Sequence, residues 1–144
     1  MKPNFTVDEL IASDTALRLG IDNSPSEDIK DNLITLIGEL EQVRHTLCDL
    51  PMVISSGYRC LELNSAVRGS KTSDHMKGWA ADFRCRAYGK PLDIVKKIAM
   101  SSVVFDQLIE EGNWAHISFN PHYRREVLTA HFGQGGTTYT KGVT

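Results

Sequence analysis

A two-residue turn, Gly112-Asn113, separates two β-rich runs, Val103–Glu111 and Trp114–Phe119. Glycine and asparagine tolerate the backbone of a tight hairpin turn, so this dipeptide predicts two antiparallel strands in a set register. Pairing across such a turn sets Glu111 opposite Trp114 and Ile109 opposite His116. Side chains alternate along a strand, so those four residues share one face of the sheet, and Glu110 and Ala115 take the other. Gln107 and Ser118 join the His116 face by the same reckoning, where they could orient ligands, while Asp106 falls opposite. A longer turn or a bulge would exchange Glu110 and Glu111.

Upstream, Ile29, Leu33, Leu36, Ile37, Leu40, Val43 and Leu47 recur at spacings of three and four. That is the apolar stripe of a long amphipathic helix lying on the core, with Lys30, Glu41 and Arg44 left wet. Ser24 as N-cap, Pro25 at the first helical position and Glu27 closing a capping box predict its start, and Asp49-Leu50-Pro51 its stop. Thr6-Val7-Asp8-Glu9 fits another capping box, opening a short helix over Leu10 and Ile11 with Phe5 stapled beneath it. A second short turn, Asp14 to Leu19, is ended by Gly20.

Met52–Ser55 reads as a short buried strand, Gly57 as the turn after it, and Cys60–Ala66 as a two-turn helix. Trp79–Arg84 alternates as a strand should. Leu92–Met100 forms a helix with Ile94, Val95 and Ile98 inward, Glu126–Ala130 a last strand, and the tail from Gly133 is expected to be loose at its end. Helices first, then strands with one intervening helix, predict an α+β fold, an antiparallel sheet with packed helices. At 144 residues this is expected to be a single domain, 1–144.

Between Ser55 and Phe83, His75 and Asp82 stand seven residues apart on either side of a glycine-containing turn, and Arg59 and Ser73 are close enough in sequence to reach the same cleft. His116, on a strand downstream, supplies a further imidazole. Taken singly, a histidine on a strand is more often a hydrogen-bonded core residue, and an aspartate after two alanines a strand end. Together, two imidazoles and one carboxylate leave a fourth tetrahedral position open, as a catalytic zinc requires and a structural zinc does not. His45 falls off the apolar stripe and is set aside as a ligand.

Lys plus Arg total 16 against 18 Asp plus Glu, with a formal net charge of -2, so the chain lacks the basic footprint that a phosphate backbone attracts. A nucleic-acid partner is not expected. Cys48, Cys60 and Cys85 form an odd, sparse set without CxxC spacing, in keeping with small apolar fillers in a reducing compartment. Met1-Lys2-Pro3-Asn4-Phe5 opens no secretory leader, and there is no run of about 18 apolar residues to span a membrane. The chain is therefore expected to be made in the cytoplasm as a monomer without a membrane partner, and to act on any outside substrate only when released or delivered.

Ser56-Gly57-Tyr58-Arg59, Leu63-Asn64, Gly69-Ser70, Ser73-Asp74-His75, Gly78, Ala80-Ala81-Asp82 and Trp114-Ala115-His116-Ile117-Ser118 closely resemble the zinc D-alanyl-D-alanine carboxypeptidase and peptidoglycan endopeptidase family. That family includes the vancomycin-resistance D,D-peptidases and phage endolysins, and shares its fold with the hedgehog signalling domain. The Phe-Thr-x-x-Glu-Leu start and the long helix before Ser-Gly-Tyr-Arg look like its short, single-domain, often prophage-encoded branch. The resemblance implies a Zn2+ cofactor held by His75, Asp82 and His116, and a peptidoglycan peptide as substrate. It implies that Arg59 polarises the scissile carbonyl and steadies the oxyanion, and that Ser73 binds the substrate carboxylate.

The chain departs from one pattern in that family. Several members carry the acid/base carboxylate three residues before the last histidine, where this chain has Asn113, which cannot ionise. Others place a glutamate five or six residues before it, and the hairpin facing selects Glu111 over Glu110. Arg68 stands where many relatives have glycine. Trp114 is either a wall of the cleft or a core packer behind His116. A zinc-containing peptidoglycan-binding module without turnover is the alternative reading, against which Arg59 and the paired glutamates weigh.

Overall fold

The helix stripe and the hairpin both contribute to one buried core. Residues 4–143 are described by the computed structural model of the chain; Met1–Pro3, part of the stretch read for a leader, and Thr144 lie outside them. Among the described residues five α-helices and six strands follow in the order α1 (Val7–Ile11), α2 (Asp14–Leu19), α3 (Glu27–Thr46), β1 (Val53–Ser56), α4 (Leu61–Ala66), β2 (Ala80–Arg84), α5 (Pro91–Ala99), β3 (Gln107–Glu110), β4 (Ala115–Ser118), β5 (Glu126–Gly133) and β6 (Gly136–Lys141). A single 3-10 turn, Asp74–Lys77, lies between α4 and β2. None of these helices is long and apolar enough to cross a membrane.

Leu33, Leu36, Leu40 and Val43 of α3 and its C-cap Leu47 are fully buried, each contributing roughly 2 kcal/mol by leaving water. They meet Phe83 of β2, Ile94 and Ile98 of α5, and Leu108 and Ile117 of the hairpin in one core. Phe5, Leu10 and Met52 close its edge. The start of α3 differs from the sequence expectation. Ser26 is the cap, its Oγ accepting from the Ile29 amide, because Asp22 Oδ1 already accepts from the Ser24 amide and holds Ser24 and Pro25 in the preceding turn. At α1, Thr6 Oγ1 accepts from Glu9 N as expected, and α5 begins with Pro91 in its first turn.

The sheet runs β1-β2-β4-β3-β5-β6, every described pair antiparallel except β3 with β5. The α+β expectation is met. β1 corrects one detail: it is an edge strand pairing only with β2, so Val53 is exposed and the run is not buried on both faces. The hairpin register is the expected one, Ile109 opposite His116 and Glu110 opposite Ala115, with Glu111 N donating to Trp114 O across the turn. The tail overturns its expectation. Residues after Ala130 extend β5 to Gly133 and return as β6, paired from Gly133 opposite Gly136 to Leu128 opposite Lys141. Thr137, Thr138, Tyr139 and Thr140 are β-favouring residues behind a Gly-Gln-Gly-Gly turn, which is the signal that points to this hairpin.

Candidate metal centre

β2 and β4 are neighbours with Asp82 directly opposite His116. Opposed residues of an antiparallel pair share a face, so the carboxylate and the imidazole project side by side. His116 Nδ1 and Asp82 Oδ1 are 2.8 Å apart. The third donor arrives from the 3-10 turn. Ser73 caps that turn, its Oγ accepting from His75 N, and Asn32 of α3 ties the end of it by donating to Lys77 O at 2.8 Å. His75 Nε2 then lies 3.3 Å from Asp82 Oδ1. One donor atom from each of the three lies within 4.8 Å of the others.

The tautomer of His75 follows from its other nitrogen. Nδ1 sits 2.7 Å from the Gly57 carbonyl oxygen, which can only accept, so Nδ1 carries the proton and Nε2 is left free toward Asp82. Gly57 can occupy that place because it has no side chain: a Cβ there would stand 2.3 Å from Leu10 O. The sequence reading saw Gly57 only as a turn.

Charge is arranged around these groups in a definite sense. Burial pushes His75 below the usual imidazole range, partly offset by Asp82. Burial acts the same way on His116, yet the Asp82 hydrogen bond and charge, helped by Glu111, raise it above that range. Burial would raise Asp82, but the charges and hydrogen bonds of the two imidazoles hold it far below ordinary carboxylates. Two buried nitrogens and an ionised carboxylate suit a borderline cation such as zinc.

The remaining predicted residues surround the three donors. Arg59, Ser73, His75, Asp82, Glu111 and His116 line one cleft of about 630 Å³. Arg59 is anchored by its backbone amide, which donates to His75 O at 3.1 Å, and its guanidinium reaches Ser73 Oγ at 3.5 Å. Its Nε is buried with no hydrogen-bond partner among the described residues. Burial lowers its pKa against the pull of Asp82 and Glu111. Glu111 faces the cleft, and burial, aided by Asp82 and Glu110 and opposed by His116 and Arg59, raises its carboxyl. Glu110 does not line the cleft; its Oε1 accepts from Gly112 N at 2.8 Å. A second cleft of about 370 Å³, beside Ser55 and Tyr58, shares Arg59 and Asp82 with the first.

The chain belongs to the Peptidase M15 family, whose sequence model matches residues 3–118. A zinc D-Ala-D-Ala carboxypeptidase from Streptomyces albus G is 34% identical to this M15 chain over 58 residues, 40% of this chain and 23% of that relative. The aligned stretch is thus under a quarter of the relative's length. The His-Asp-His donor set of this M15 centre fits Zn2+.

Three side chains of the M15 fold, Asp106, Gln107 and Ser118, stand otherwise than the sequence suggested. Asp106 lines the same cleft, held by Arg124 through a bidentate pair at 3.0 and 2.9 Å; it precedes β3, where strand alternation no longer governs facing. Gln107 donates to Glu126 on β5, and Ser118 Oγ is buried without a partner among the described residues, so neither orients a donor. Trp114 lines the cleft and is absent from the buried core. Arg68 has φ 57, a left-handed conformation glycine would hold more easily. Sequence reasoning missed Tyr139, Leu128 and Arg124 as cleft residues, because neither the parallel pairing of β5 with β3, which brings Leu128 and the preceding Arg124 to the cleft, nor the return of β6, which carries Tyr139, was foreseen.

Proposed function

We propose that the chain is one zinc peptidase domain, 1–144, that hydrolyses a D-amino-acid-containing peptide bond of peptidoglycan, as a carboxypeptidase or an endopeptidase of the endolysin type. The observation that carries this reading is one cleft holding the His75, Asp82 and His116 donors together with Arg59 and Glu111. His75, Asp82 and His116, each offering one donor atom within 4.8 Å of the others, would hold the zinc ion. When bound, zinc supplies Lewis acidity toward the scissile carbonyl and lowers the pKa of water to about 7.

Glu111 is the acid/base. It faces the cleft beside the three donors, where it would take a proton from water and return it to the leaving amine, and burial raises its carboxyl above the ordinary range, which favours that uptake. Arg59 contributes a fixed positive charge and an unspent buried N–H to the oxygen on which charge develops. Ser73, 3.5 Å from that guanidinium, helps fix the substrate carboxylate. The two clefts meeting at Arg59 and Asp82 give space on either side of the reacting bond, which favours a peptide running through the site and so the endopeptidase form. Membership in the short, prophage-like branch accords with this and would require release or delivery of the chain to the wall.

The test is incubation of purified protein with isolated peptidoglycan, mapping the muropeptides by mass spectrometry. New amine and carboxyl ends that vanish with a chelator and return with zinc are expected. Stoichiometric zinc binding without cleavage of any wall peptide would instead leave a non-catalytic zinc module.

A further inference from the structure

The family match ends at Ser118, and the β5-β6 hairpin that follows builds part of the cleft wall. Strand register says which of its residues face the centre. Asp82, His116, Ile109, Leu128 and Lys141 form one row across five strands, each opposite the next. One step along, Trp114 and Glu111 meet across the hairpin turn, and β5 and β6 add Ala130 opposite Tyr139. Facing is shared along each row, so Tyr139 and Glu111 project from the same side with the small Ala130 between their strands. A large residue at position 130 would fill that space. With alanine there, the phenol ring can lean across toward Glu111, and Tyr139 indeed lines the cleft with Glu111, Arg59 and His116.

A second contact holds the hairpin where the carboxylate emerges. Gly112, with φ +81, is the residue after Glu111, and a Cβ on it would stand 3.2 Å from the Phe132 ring. Phe132 of β5 therefore packs over the β3-β4 turn. On the opposite face His131 and Thr140 are joined at 2.8 Å, and Thr129 Oγ1 donates to Gly142 O, tying β6 to β5.

We propose that Tyr139 is a substrate-contacting residue of this centre, its phenol donating a hydrogen bond to the peptide held between Arg59 and Glu111. This rests on the peptidase reading above. The phenol keeps its proton: burial raises its pKa, and the negative charges of Glu111 and Asp82 raise it further, so it is a donor at any pH where the centre works. Arg59, from the loop after β1, and Tyr139, from β6, then address the substrate with donors, while Glu111 of the same cleft accepts.

Tyr139→Phe keeps the ring and removes the donor. Zinc-loaded Glu111→Gln protein, which leaves substrate uncut, is titrated with isolated muropeptides by calorimetry, with and without Tyr139→Phe. Affinity weaker by about fivefold to tenfold, at unchanged zinc affinity and melting temperature, is the expected result. Equal affinity of the two proteins overturns the proposal. A second readout needs no substrate: the Tyr139 phenol, followed by ring-carbon NMR, titrates at lower pH in Glu111→Gln than in the parent, because a raising charge is gone. If no muropeptide binds even with Tyr139 present, the wall-peptide reading falls. In that case a shifted phenol titration still upholds Tyr139 as part of the centre, and an unshifted one removes it.

Discussion

The Gly57 carbonyl oxygen and His75 Nδ1 are 2.7 Å apart, joining the end of β1 to the turn that carries a metal donor. Gly57→Ala tests that link. Its Cβ would meet the backbone oxygen of Leu10 at 2.3 Å, and backbone cannot step aside as a flexible side chain can. The chain around Gly57 must shift and carry the His75 partner with it. Zinc affinity is expected to fall about tenfold to a hundredfold, with a lower melting temperature, as measured by zinc titration and calorimetry on the same preparation.

Glu111 and Glu110 are adjacent in sequence but serve opposite faces. Glu111→Gln is expected to bind zinc as the parent does and to lose about 10²- to 10⁴-fold in turnover. Glu110→Gln, whose side chain only accepts from Gly112 N, should change turnover less than about threefold, consistent with the modest worth of an exposed hydrogen bond. Parent-like hydrolysis by Glu111→Gln would remove it as the acid/base.

Asp106 is buried and accepts from the Arg124 side chain and backbone, while Arg124 is half exposed. Burial would raise the Asp106 carboxyl, but the Arg124 hydrogen bonds and charge hold it below the usual range. A carboxylate with a depressed folded pKa contributes stability that is present above its unfolded value of about 3.9 and is lost as pH falls through the folded value. Asp106→Asn should therefore cost about 2 kcal/mol near pH 7, and the gap from the parent should narrow below about pH 4. Urea unfolding of both proteins from pH 7 to pH 3 reads this out, and a gap independent of pH would show that packing rather than charge holds Arg124.

Zinc binds the folded donors and not the scattered ones of the unfolded chain, so it stabilises by mass action. At free zinc one hundred times its dissociation constant the gain is about 2.7 kcal/mol, or roughly 8 °C in melting temperature for a domain of this size. His116→Ala should abolish most of that shift, and chelator should return the parent to its metal-free melting temperature.

Several features of this fold are written locally. The α3 stripe, the Thr6 cap and the Pro91 start are each decided by residues within one or two helical turns. The Gly112-Asn113 turn sets a two-residue period running, and so the facing of Glu111, Ile109 and His116 was legible before any coordinate. The choice between Ser24 and Ser26 as cap was not, since both are competent and Asp22 decides the matter by taking the Ser24 amide.

Thus the sequence by itself determined the hairpin register and the side of the hairpin that bears His116 and Glu111, because periodicity and turn chemistry act over a few neighbouring residues. Only the tertiary structure decided that Gly57, 18 residues from His75, orients it, that Asp106 turns into the cleft, and that β5 pairs parallel to β3 and carries β6 beside the centre. Those outcomes depend on which distant surfaces bury one another best, and the competition is settled by the whole chain at once.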